Sequence, residues 1–190
     1  MSRVIPLCSL CALLLFSGCL TATRKIIKLH LNPDGSGTGS MIFNDIQSMQ
    51  ENDDDRSLQD YNDLVNEWLS GNAFENANPS LYDVKKRLGG DKNVLNGEIT
   101  FSFSSYLDVG LYRYQNSGPW MYYAYQQTSD IESFEVSDGN FGGEGMPVIF
   151  WPEGTTEFKI ANIFDHKDRP VHSLYSLYKK LGTTPQEDDE

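Results

Sequence analysis

Gly97-Glu98-Ile99-Thr100-Phe101-Ser102-Phe103 alternates apolar and polar side chains without interruption. In an extended chain Ile99, Phe101 and Phe103 share one face while Glu98, Thr100 and Ser102 share the other, the pattern of a strand buried on one side. The same period runs upstream through Ile27, Leu29 and Leu31, with Lys28 and His30 opposite, and resumes at Met41 and Phe43. Between those two runs lies Asn32-Pro33-Asp34-Gly35-Ser36-Gly37, dense in turn-forming residues, so this region reads as a β-hairpin. Downstream, Val109 to Tyr114 and Met121 to Gln126 flank Asn116-Ser117-Gly118-Pro119 and predict a second hairpin. Phe134 and Val136 lead into the turn Ser137-Asp138-Gly139-Asn140, Val148 to Trp151 is a short apolar run, and Phe158, Ile160 and Phe164 mark a final strand.

A 3.6-residue period replaces the alternation in the middle of the chain. Leu58, Tyr61, Leu64, Val65, Trp68 and Leu69 fall on one face of a helix over Ser57 to Ser70, and Gly71 is placed to stop it. A shorter helix is predicted from Pro79 to Leu88, capped by Asn78 and ended by Gly89-Gly90. A third, over Pro170 to Leu181, presents Leu174, Leu177, Tyr178 and Leu181. The predicted architecture is one α+β domain. An antiparallel sheet of hairpin and meander strands is covered by one or two helices that follow the first hairpin, and a short helix closes the chain.

The 190 residues are 39% apolar and 22% charged, which suits a single folded domain. Fifteen Lys and Arg against 27 Asp and Glu give a formal charge of −12. That balance argues against a nucleic-acid partner and against a basic surface laid on anionic lipid.

Residues 1–18 read as a secretory signal: Arg3 is followed by the apolar run Leu7 to Phe16, too short to span a bilayer, and by small Ser17 and Gly18. Leu15-Phe16-Ser17-Gly18-Cys19 resembles the bacterial lipobox, with Phe16 where Leu is commonest. The resemblance implies cleavage before Cys19, several acyl chains (palmitate among them) on that cysteine, and attachment to a membrane of the cell envelope through them. Leu20 rather than Asp follows, which by the sorting rule of enterobacteria-like groups implies the outer membrane over the inner. On this reading residues 19–24 are an acylated tether, 25–182 the folded domain, and 183–190 a disordered acidic tail. Cys8 and Cys11 form a C-x-x-C only inside the apolar run, where no βαβ context supports redox chemistry. From residue 19 onward, residues 19–110 are similar to the LppM-type lipoprotein domain. The similarity rests on the hairpin Pro33-Asp34-Gly35-Ser36-Gly37, a helical middle and Gly97 to Phe103. It implies an α+β unit that contacts envelope lipids.

Few constellations carry chemistry. Gly35-Ser36-Gly37-Thr38-Gly39 lacks the strand–elbow–helix setting of a hydrolase serine and reads as a glycine-rich hairpin turn. Glu51, Asp53, Asp54 and Asp55 lack the spacing of a calcium loop and read as a solvated acidic stretch. Asp165, His166, Asp168 and His172 have metal-ligand chemistry and support an alternative reading as a metal-dependent envelope enzyme; against it, Asp168 before Pro170 is also a natural helix cap. No cofactor is expected. The unusual segment is aromatic: Tyr112, Tyr114, Trp120, Tyr122, Tyr123 and Tyr125 crowd one predicted hairpin. Consecutive Tyr122-Tyr123 must face opposite ways, so one set packs in the core while the other suits a surface for an envelope protein, glycan or lipid. Ordinary sheet packing of all six is the competing reading. The function expected is a non-enzymatic, lipid-anchored binding module of the bacterial envelope.

Overall fold

The computed structural model describes residues 20–50, 55–125, 131–167 and 169–183. Its largest sheet has six antiparallel strands in the order β5 (Leu81–Asp91), β6 (Val94–Phe103), β3 (Gly37–Asn44), β2 (Arg24–Leu31), β12 (Glu157–Phe164) and β9 (Glu132–Ser137). The alternation read from the sequence is the burial pattern of its centre. Ile27, Leu29, Leu31, Met41, Phe43, Ile99, Phe101 and Phe103 all point into one core. Gly37 and Gly39 leave room there: a β-carbon on either would fall 2.5 Å from the ring of Phe103 or Phe101, which lies across it. The glycine-rich stretch therefore serves ring packing as well as the turn at Gly35, whose φ is +88°.

A sheet covered by helices is not what forms. Among the described residues 49% lie in strands and 19% in helices, and the strands make three sheets. The second sheet orders β10 (Asn140–Phe141), β11 (Val148–Trp151), β8 (Ser117–Tyr123) and β7 (Leu111–Tyr114). Its inward side chains pack on the six-stranded sheet: Trp120 and Trp151 meet Phe158 edge-on at 6.0 and 5.2 Å between ring centres. Of the strands predicted after Phe103, β9 and β12 extend the first sheet, whereas β7, β8, β10 and β11 fold back as a second layer, because their inward face carries rings that need an apolar partner.

The few helical segments contribute side chains to the same core. The segment Ser57–Ser70 is helical, as α1 (Ser57–Asp63) followed by π-helical turns over Leu64–Ser70. Tyr61, Leu64, Val65 and Trp68 are buried, whereas Leu58 is exposed. The short α2 (Ala73–Ala77) brings Phe74 to within 6.2 Å of Phe101. The helix predicted over Pro79 to Leu88 is instead the edge strand β5, joined to β6 by a two-residue turn at Lys92 and Asn93, both with positive φ. Val84 and Leu88 share a face in either conformation, because a spacing of four is compatible with both periods; pairing with β6 decides. Asn78 closes α2, its side chain donating to Phe74 O at 2.9 Å, and caps no following helix. The predicted closing helix is likewise divided into β13 (Val171–Ser173) and α3 (Tyr175–Leu181).

The third sheet orders β1 (Leu20–Thr21), β4 (Gln47–Met49) and β13. It corrects the reading of residues 19–24 as a tether. Leu20, Thr21 and Ala22 are buried, Leu20 pairs with Ser48, and Thr23 N donates to Asn44 O at 2.9 Å. Cys19, most of the acidic stretch (51–54) and most of the predicted tail (184–190) lie outside the described residues.

Candidate recognition surface

The aromatic hairpin is β7–β8, turned by Gln115 and Asn116, which both have positive φ. The turn therefore precedes the predicted Asn116 to Pro119 by one residue. Pro119 has no N–H to give a ladder, and the register shifts between Tyr112 and Tyr114, where the β8 side bulges at Gly118 and Pro119. Arg113 braces the bulge, donating to Gly118 O from Nε at 3.1 Å and from Nη2 at 2.9 Å. Its guanidinium also stacks over Trp120, 4.4 Å from the ring centre, and bonds Glu153 at 2.5 Å.

This bracing decides which aromatics face inward. Trp120 and Tyr122 are 6% and 4% exposed and belong to the core, so they are removed from the candidate binding set. Trp120 Nε1 donates to Glu153 O at 3.0 Å, and Tyr106 packs edge-on against its ring at 5.1 Å. Tyr112, Tyr114 and Tyr123 face out, at 36%, 71% and 45% exposure. Tyr125 is half-buried, in ring contact with Tyr123 and Phe141. Partial burial pushes the Tyr112 phenol above its ordinary value.

Pairing extends the outward face across the whole sheet. Tyr112 stands opposite Met121, Met121 opposite Phe150, and Phe150 opposite Asn140; in the next row Tyr123 stands opposite Val148. Met146, half exposed, lies just beyond that row. Met121, Phe150 and Met146 were not among the sequence candidates. The signal that points to Phe150 is its alternation with the buried Ile149 and Trp151. The result is a contiguous aromatic and thioether strip on an otherwise acidic protein.

The metal-ligand candidates take structural roles. His166 Nε2 is hydrogen-bonded to Thr21 Oγ1 at 2.9 Å, which fastens β1. Burial pushes the His166 imidazole below its ordinary value, against the opposing charge of Asp165. Asp165 accepts from Lys167 N at 3.0 Å, and His172 sits in β13 opposite Ser48. Asp168 lies outside the described residues. Among the described residues no group of three His, Cys, Asp or Glu could hold a metal ion. Asp55 accepts from Ser57 N at 3.0 Å, beside the helix start. An apolar cavity of about 50 Å³ lies between Leu64, Trp68 and Ile99. It is far below the few hundred Å³ of a ligand pocket.

No described helix is long and apolar enough to cross a membrane. No protein-family model matches the chain, and the comparisons with curated proteins and with solved structures found no match either.

Proposed function

We propose that this protein is a lipid-anchored envelope lipoprotein, in the outer membrane rather than the inner, whose domain is a non-enzymatic binding module. The outward strip of the four-stranded sheet is its recognition surface. The observation that carries the reading is the division of the aromatic hairpin. Trp120 and Tyr122 satisfy the core, yet Tyr112, Tyr114 and Tyr123 remain exposed on one continuous face with Met121 and Phe150. Monomeric domains rarely leave such a patch open without a partner, and Tyr, Met and Phe are the side chains enriched where binding energy concentrates. Acylation of Cys19 supplies the anchor. Leu20, the next residue, is β-paired with Ser48, so the anchor would join the folded domain directly.

The test is capture of envelope protein, glycan and lipid fractions by the wild-type domain and by Tyr112→Ala/Tyr123→Ala. Loss of a captured species with an unchanged melting temperature supports the reading. Identical capture by the two proteins overturns it.

A further inference from the structure

The opposite, outward face of the six-stranded sheet is polar, and it holds an open groove of about 850 Å³, a volume suited to a small ligand. Strand register lays one row of side chains across the groove floor. Lys159 stands opposite Lys28, Lys28 opposite Ser40, Ser40 opposite Thr100, and Thr100 opposite Lys85. With strands about 4.8 Å apart, the backbones of Lys28 and Lys85 stand about 14 Å apart, with two hydroxyl-bearing residues between them. Ammonium groups on four-carbon stems reach the space above those hydroxyls from both sides.

All three lysines are exposed, and none makes an ion pair among the described residues. Of the rim carboxylates, Asp138 is held by other donors. Glu157 lies 3.8 Å from His30 Nδ1, and Asp138 Oδ1 accepts from Trp151 Nε1 at 2.7 Å and from Lys159 N at 3.0 Å. Asp83 occupies the irregular stretch of β5 with φ of +52°. Lys28 and Lys159 are moreover like charges placed directly opposite each other, an arrangement that weakens a sheet.

We propose that this groove binds a small phosphorylated molecule, its phosphate seated over Ser40 and Thr100 between Lys28 and Lys85, with Lys159 adding charge from the Lys28 side. A phosphate matches the two kinds of donor gathered there, ammonium and hydroxyl, and charge-assisted bonds of this type are the strong ones. The rim carboxylates and the formal charge of −12 oppose an anionic bilayer or an extended polyanion while leaving the centre open to one compact anion.

The test is calorimetric titration of the full chain with inorganic phosphate and pyrophosphate. Saturable binding of pyrophosphate is expected, weakened about tenfold or more by Lys28→Gln and by Lys85→Gln, and unchanged by Lys180→Gln on α3. Lys28→Gln should melt no lower than wild type, since it removes the opposed charges. The proposal is overturned by absence of saturable binding to either anion or by equal weakening in Lys180→Gln. Binding confined to phosphatidylglycerol vesicles also overturns it.

Discussion

Tyr122 and Tyr123 are chemically identical neighbours on opposite sides of one strand, and replacing each with Ala tests the sandwich directly. Tyr122 is 4% exposed and packs on the six-stranded sheet, whereas Tyr123 is 45% exposed on the outer strip. Truncating a buried aromatic side chain costs about 3–5 kcal/mol in lost transfer energy and residual cavity. For a domain of this size each kcal/mol lowers the melting temperature by about 2–4 °C, so Tyr122→Ala should lose roughly 6–20 °C. Tyr123→Ala gives up contact on one flank only and should cost about 1 kcal/mol or less, within about 4 °C. The assay is thermal and urea unfolding of both variants beside wild type, followed by aromatic circular dichroism as a reading of side-chain packing. Equal losses would mean that both faces of β8 are packed, and the two-layer arrangement with an outer recognition strip would be wrong. A larger loss for Tyr123→Ala would reverse the register.

Glu132→Gln should destabilise the domain by about 3–5 kcal/mol, because it leaves Lys25 charged and buried beside Asn162; Lys25→Met/Glu132→Leu should recover most of that loss in urea unfolding. The His166 imidazole has its folded value lowered, so the unfolded chain takes the proton first; stability is full above about pH 6.5 and falls as pH drops through the window below it. His166→Asn should flatten that part of a melting-temperature profile, and an unchanged slope would assign the pH dependence to other groups. Cys19→Ser should move the protein from membrane to soluble fractions, as one anchor is all that the proposal supplies; a variant that resists a salt wash would refute the anchoring.

The local period of the chain was enough to find the strands through Ile27, Met41 and Ile99 and the helical run over Ser57 to Ser70. One buried face repeating every 2 or 3.6 residues is a local property. It was not enough for residues 81–91, where Leu81, Val84 and Leu88 satisfy a helix while β6 offers a full ladder of hydrogen bonds. Nor did Leu20 to Ala22 carry any period of their own; they are buried because β4 and His166 wait 26 and more residues downstream. The aromatic crowding from Tyr112 to Tyr125 was plain in the sequence, as was the necessity that Tyr122 and Tyr123 diverge. Which of them faces the core was decided by the bulge at Gly118 and Pro119 and by Phe158 of the other sheet, distant in the chain, which packs against Trp120 and Trp151. The lysine row has the same origin. Lys28, Lys85 and Lys159 are unremarkable in sequence, and only cross-strand register, a relation between segments more than 50 residues apart, brings them onto one line. Periodicity is written in neighbours, whereas facing and register are set by whichever surfaces find an apolar partner once the chain has closed on itself.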